Sequence, residues 1–222
     1  TDLETRDEQV QALGAEREEA LAALNKAADG LHKKRVKAGK KLAVGITTHL
    51  QDLGFPEAQF DVELVPIEPS RMGRDQVDFG FAPNPGEPMR KLRQIASSGE
   101  IARVMLAVKA VLAGHDQVPV MIFDEIDSNV GGEMGASIGR KMRAVAEHHQ
   151  VITITHLPQA AVFGAQHLAV HKGQEDGRTL TRVHTIEGED RVQELARMLG
   201  GVDFTPGSEQ HAREMIAAAA KG

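Results

Sequence analysis

Two adjacent carboxylates, Asp124 and Glu125, follow the apolar run Val120-Met121-Ile122-Phe123. An apolar run of this length, bounded by Pro119 and followed by a polar turn, reads as a strand buried on both faces. Acids at the carboxyl end of such a strand lie where open α/β sheets bind ligands. There Asp124 can hold Mg²⁺, directly or through water, and Glu125 can orient and deprotonate an attacking water. That is the metal-and-water edge that nucleotide hydrolysis requires. The plainer alternative is a strand ending in two solvated acids.

Two further groups bear on that choice. Ala96-Ser97-Ser98-Gly99-Glu100 precedes the apolar helix Ile101-Val104-Met105-Val108. Small polar residues and a glycine at a helix start leave backbone N–H groups free for an anion, phosphate above all. Ser97 or Ser98 could equally serve as the helix cap. The second group is Val151-Ile152-Thr153-Ile154-Thr155, another buried strand, which ends in His156. A histidine at that tip can reach a transferring phosphoryl group; it could also be one surface histidine among the ten. Between the two strands, Ile126-Asp127-Ser128-Asn129-Val130-Gly131-Gly132 is a polar turn that Asp127 could cap or stabilise.

The elements that must position these groups can be read along the chain. Helices are expected near 99–113, 133–147, 158–163, 190–199 and 207–220, and strands near 119–124, 151–155, 166–172 and 178–186. Phe60, Val62 and Leu64 alternate with Asp61 and Glu63, and Val77, Phe79 and Phe81 repeat the pattern, so two half-buried strands that could pair are expected there. A loop with Pro83, Pro85 and Pro88 follows them. The strand–helix–strand alternation predicts a largely parallel sheet with covering helices.

The first 40 residues read as one helix with an a/d seam. Leu3, Val10, Arg17, Leu24, Leu31 and Ala38 fall seven apart, with Leu13, Ala20 and Ala27 as companions. Arg17 interrupts this seam, and so narrow a stripe needs a partner helix unless it packs on its own domain. From His32 to Lys41 the helix turns basic (Lys33, Lys34, Arg35, Lys37, Lys40, Lys41), either as a solvated face or as a contact for a phosphate backbone. The helix is expected to continue through Leu42, Ile46, Leu50 and Leu53 and to stop at Gly54.

Composition narrows the class. A net charge of -6 argues against a wholly basic nucleic-acid binder, and the absence of Trp and Tyr against a stacking surface for single strands. With no cysteine there is neither a disulfide framework nor a thiolate metal site, which fits a reducing compartment. No apolar run approaches the roughly 20 residues of a membrane span, and the polar start TDLETRDEQV is no signal peptide.

Taken in order, these segments resemble the carboxy-terminal half of an ABC-type ATPase head of the SMC-like kind. ASSGE (96–100) looks like the signature, VMIFDE (120–125) the Walker B, IDSNVGG (126–132) the D-loop and THLPQ (155–159) the switch histidine. FAPNPGEPMRKLRQIASSGEIARVMLAVKAVL, FDEIDSNVGG, ITITHLPQAA, EDGRTLTRV and RVQELARMLGG together resemble the RecN family of bacterial DNA repair ATPases, from about residue 31 to about 202.

The resemblance implies two lobes of function: residues 1–40 as the returning strand of a coiled-coil arm, and 41–222 as the carboxy-terminal lobe of the head. It implies ATP and Mg²⁺ as cofactors, with Glu125 as general base, His156 as stabiliser of charge on the transferring phosphoryl, and Asp124 as the Mg²⁺ ligand. Ser97, Ser98, Gly99, Glu100 and Asp127 would face nucleotide. The implied partners are the amino-terminal half, a second head across two sandwiched ATP molecules, and DNA, with no membrane and a cytoplasmic, nucleoid-associated location. The implied role is handling DNA ends in recombinational double-strand break repair.

One departure stands out: the signature usually reads Ser-Gly-Gly-Glu, and Ser98 occupies its first glycine. Its Cβ could narrow the phosphate site, or its hydroxyl could donate to the same phosphate.

A P-loop is missing. The only Gly-Lys pair, Gly39-Lys40, has Lys34 and Lys41 where the motif needs glycine and Ser/Thr. The chain therefore reads as the carboxy-terminal part of a longer protein, expected to hydrolyse ATP poorly or not at all alone. The ATP-binding half of a transporter would share the motifs, but the heptad helix speaks against it. A non-enzymatic coiled-coil interaction module would show no nucleotide-dependent association.

Overall fold

Helix α1 (Asp2–Gln51) runs unbroken through 50 residues, roughly 75 Å at 1.5 Å per residue. The structure is a computed structural model that describes residues 2–175 and 178–221. The side chain of Leu3, and Asp176 and Gly177 within the EDGRTLTRV stretch, lie outside the described residues. Along the first half of α1, Val10, Leu13, Leu21 and Leu24 face solvent. They lie on the same side of the helix as Ala28 and Leu31, at spacings of three, four or eight residues. From Thr5 onward Ala28 is the first buried residue of α1, and Ile46 and Leu50 reach the main core. One stripe is thus open along the first half of α1 and covered along the second. The helix ends at a tight turn in which Phe55 N–H bonds to Leu50 O at 3.1 Å. Gly54 adopts φ +89 there, and a Cβ would meet Met134 of the neighbouring helix.

The hairpin β1 (Gln59–Ser70) and β2 (Gly73–Ala82) covers the second half of α1. Its antiparallel register sets Phe60 against Phe81, Val62 against Phe79 and Leu64 against Val77, so the alternating residues meet as expected. A short β3 (Arg90–Lys91) joins the edge of β2. The hairpin is fastened to α1 by buried Asp75, which bonds His32 Nδ1 at 2.7 Å and Arg35 Nη1 at 3.4 Å. Burial penalises that carboxylate, but the hydrogen bonds and charges of His32 and Arg35 outweigh it and lower its pKa. Arg35 also donates to Met72 O at 2.7 Å. It therefore leaves the basic run and works as a structural clamp.

After the proline loop come α2 (Ser98–Leu112), β4 (Val120–Phe123), α3 (Gly132–Val145), β5 (Gln150–Thr153) and α4 (Pro158–Ala161). β6 (His167–Glu175), β7 (Arg178–Ile186), α5 (Gly188–Gly200) and α6 (Pro206–Ala219) complete the order. β4 and β5 pair in parallel, with Val120 opposite Gln150 and Phe123 opposite Thr153. The larger core gathers α1, α2, α3, the hairpin and the inner face of β4; α5 and α6 form a smaller one around Leu195, Ala196 and Ala212.

Two expectations are corrected. Among the described residues parallel pairing is confined to β4 and β5, because β1–β2–β3 and β6–β7 are separate antiparallel sheets. Consecutive strands joined by short turns pair antiparallel, and only the crossover through α3 gives a parallel pair. β4 is also not buried on both faces: Met121 and Phe123 enter the core, whereas Ile122 is 68% exposed. Ile152 and Ile154 of the neighbouring strand share that exposure. No helix of the described residues is long and apolar enough to cross a membrane.

Candidate functional site

The parallel register brings the carboxyl ends of β4 and β5 to one edge. Ile154 N–H bonds to Phe123 O at 2.9 Å and carries the ladder one step past the strands. Asp124 and Glu125 leave one strand there, and Thr155 and His156 leave the other. Asp124, Glu125, Asp127, Asn129 and His156 share the lining of an open cavity of about 340 Å³.

The turn after β4 is tightly wound. Glu125 and Asn129 both adopt left-handed backbone, with φ of 57 and 60. For Glu125 that conformation costs on the order of 1 kcal/mol or more, so the surroundings must hold it. Asp124 Oδ1 accepts the Glu125 N–H at 2.9 Å, and Ser128 N–H closes the turn onto Glu125 O at 3.0 Å.

Asp127 is the link between the two strand ends. Its Oδ2 accepts from Thr155 Oγ1 at 2.5 Å, His156 N–H at 2.8 Å and Leu157 N–H at 3.3 Å. One buried carboxylate thereby fixes the loop carrying His156 to the loop carrying Asp124 and Glu125. Such charge-assisted bonds are the stronger kind.

The start of α2 closes the third side. Ser97 is its N-cap and accepts Glu100 N–H at 3.3 Å, so of the two uses left open for the serines its hydroxyl takes the capping one. Ser98 Oγ donates to Glu125 Oε2. Gly99 is buried, and a Cβ there would stand 3.1 Å from Ser128 Cβ and 3.2 Å from Glu125 O. Only glycine lets the helix approach the turn this closely without displacing it. Glu100 follows on the first turn and makes no bond to the acids of the turn.

The sequence reading missed Arg103. It is buried four residues after Gly99, with Nη1 donating to Ser128 O at 3.3 Å and to Ile126 O at 3.5 Å. Its guanidinium lies 5.1 Å from the Phe55 ring centroid. Burial lowers its pKa from the usual guanidinium value, while Glu100 acts in the opposite direction. The available signal was a lone cation on the helix face that otherwise holds Gly99 and Ala107. Thr155, which secures Asp127, was read as the end of a strand and the start of the THLPQ segment, with no role of its own.

No group of three or more His, Asp or Glu side chains able to hold a cation occurs among the described residues. A single carboxylate, Asp124, fits an ion whose shell is completed by phosphate oxygens and water.

No protein-family model matches the sequence. Among curated relatives, DNA repair protein RecN of Xylella fastidiosa is 40% identical over 196 residues, 87% of this chain and 35% of its own length. RecN of Vibrio cholerae is 36% identical over 98% of this chain and 40% of its own length. RecN of Bacillus subtilis is 34% identical over 96% of the chain, again 40% of its own length. Among solved structures, the Smc head domain with a coiled coil and joint from Pyrococcus yayanosii superposes with a TM-score of 0.59 at 18% identity, over 83% of this chain and 34% of that one. The Smc head domain from Pyrococcus furiosus, with an extended coiled coil and bound to the C-terminal domain of ScpA, gives 0.55 at 17%, over 84% of this chain and 45% of that one. The fold is that of the carboxy-terminal half of an SMC-like head, and the chain spans well under half the length of its curated relatives. By sequence this chain is similar to RecN proteins at 34–40% identity over 87–98% of its own length, which corresponds to 35–40% of theirs.

Proposed function

We propose that this chain is the carboxy-terminal lobe of a RecN-like ATPase head, with residues 1–40 as part of its coiled-coil arm and 41–222 as the lobe. The observation that carries the reading is the single cavity in which Asp124, Glu125 and His156 converge from two parallel strands tied together by Asp127. Glu125 is the general base, Asp124 the Mg²⁺ ligand, and His156 the donor toward charge developing on the transferred phosphoryl. Bound Mg²⁺ supplies charge neutralisation on the phosphates. Ser97, Ser98, Gly99 and Glu100 form the rim offered to the nucleotide of an opposing head, and Asp127 braces the turn between them.

The phosphate cradle comes from an amino-terminal half carrying a P-loop. The exposed apolar face of Ile122, Ile152 and Ile154 is where that half packs, and the open stripe Val10–Leu24 is where the outgoing arm helix lies. Two completed heads then sandwich two ATP molecules. The biological role is ATP-driven handling of DNA ends in recombinational double-strand break repair, in association with the nucleoid.

The test is reconstitution. Alone, the chain is expected to show no ATP turnover above background. Co-expressed with a polypeptide supplying the P-loop half, it is expected to form Mg-ATP-dependent dimers that hydrolyse ATP. Robust turnover by the purified chain alone, or no nucleotide-dependent association of the pair, contradicts the proposal.

A DNA contact is carried by α1. From Gly30 to Gln51 the helix contains no acid, and Lys33, Lys34, Lys37, Lys40 and Lys41 are all exposed. His32 and Arg35 turn to the hairpin instead. Lys33, Lys37, Lys40 and Lys41 follow helical spacing over roughly 12 Å on the side away from the hairpin. Replacing Lys33, Lys37 and Lys40 by Gln in the complete protein is expected to reduce the slope of log affinity for duplex DNA against log salt by about 2–3. An unchanged slope returns these lysines to the role of a solvated face.

A further inference from the structure

The Ser98–Glu125 hydrogen bond joins two groups that, on the reading above, serve different nucleotides. Glu125 acts on the nucleotide of its own head, whereas the start of α2 meets the nucleotide of an opposing head. This inference rests on that reading.

The hydroxyl at position 98 is not required by the helix. Ser97 already supplies the cap through Glu100 N–H, and Ser98 is exposed. Its contact with Glu125 is nevertheless enforced from three directions. Buried Gly99 lets α2 lie against the turn. Arg103 fastens that turn through the carbonyls of Ile126 and Ser128. The left-handed backbone of Glu125, φ 57, is part of the turn that carries the carboxylate to the hydroxyl.

We propose that Ser98 is a latch on the general base. A serine hydroxyl has one proton to donate. While that proton is given to Glu125 Oε2, the carboxylate is held against the start of α2. A phosphate arriving there from an opposing head competes for the same proton, aided by the free backbone N–H groups of the helix start. Once the phosphate takes it, Glu125 is released to turn to its own nucleotide and water. Pairing of heads and release of the base become one linked event, and Ser98 is a positioning residue that acts through Glu125.

The test uses the complete protein and measures ATP turnover against protein concentration. Below the concentration at which heads pair, Ser98→Ala and Ser98→Gly are expected to turn over ATP about tenfold faster than the parent, the scale set by one hydrogen bond to a charged group. KM for ATP should stay within about twofold, because the nucleotide is held elsewhere. Ser98→Thr, which keeps the hydroxyl, should bring back the steep concentration dependence. Turnover in the Ala and Gly variants that is equal to or below the parent's at low concentration overturns the latch. If in that case Glu125→Gln still abolishes turnover, the assignment of Glu125 survives and only the latch fails. Parental turnover by Glu125→Gln removes both.

Discussion

Glu125→Gln in the complete protein is expected to lower ATP turnover by about 10²–10⁴ while leaving ATP binding and head pairing intact. With Glu125 as the proposed base, the substitution removes the proton acceptor and changes little else. Glutamine keeps an oxygen that can accept from Ser98, so the contact across the site is retained. The backbone at φ 57 is no worse suited to glutamine than to glutamate. The water then lacks a base, and the paired heads should persist as a long-lived Mg-ATP dimer. Single-turnover hydrolysis and gel filtration with and without Mg-ATP measure the two consequences separately. A variant that hydrolyses at the parental rate would show that another group accepts the proton.

Asp127→Ala should be nearly as damaging by a different route. The alanine deletes the acceptor for Thr155 Oγ1, His156 N–H and Leu157 N–H together. His156 N–H is left without a partner in a part-buried setting, at a cost of about 1–3 kcal/mol, while Leu157 N–H keeps Thr155 Oγ1 at 3.0 Å. The melting temperature should fall on the order of 10 °C. The loop bearing His156 loses its anchor, and a displacement of about an ångström at a reacting group is enough for roughly a hundredfold loss of turnover. Asp127→Asn retains one oxygen that can accept the same three bonds and should recover most of both losses. An asparagine variant as impaired as the alanine would mean that the negative charge of Asp127, not its bridging geometry, is what matters.

The local elements were largely legible in the residue order. The alternation of Phe60, Val62 and Leu64 and of Val77, Phe79 and Phe81 marked two strands that do pair. The apolar runs before Asp124 and His156 marked the two that lie in parallel. Gly54 stopped the first helix where expected, within a few residues. Pairing direction was less legible. A strand's periodicity reports which face is buried but not which neighbour it meets, and the alternation of types suggested more parallel pairing than the three small sheets contain. The apolar character of Ile122, Ile152 and Ile154 implied burial, although in these residues that face is open.

The site shows the same division. Residue type and spacing singled out Asp124, Glu125 and His156 as candidates, and the structure brings all three to one cavity. Residue types also gave Ser97 two uses, as cap or phosphate ligand, and only the position of Glu100 N–H shows that it caps. Arg103 and Thr155 were invisible as site residues, since their roles depend on which carbonyl or carboxylate lies opposite after folding. The basic run divided for the same reason: Arg35 and Lys37 are alike in charge, but one faces Asp75 and the other water.

The residue order by itself determined which side chains could do chemistry, most of the elements that carry them and the likeness to RecN proteins. Periodicity, capping and acid–base character are local properties of a chain. Only the tertiary structure decided that Asp127 bridges two strand ends, that Ser98 reaches the carboxylate of Glu125, and that one side of the central strand pair is exposed. Those outcomes depend on contacts between residues some 27–30 positions apart, whose partners are fixed by packing.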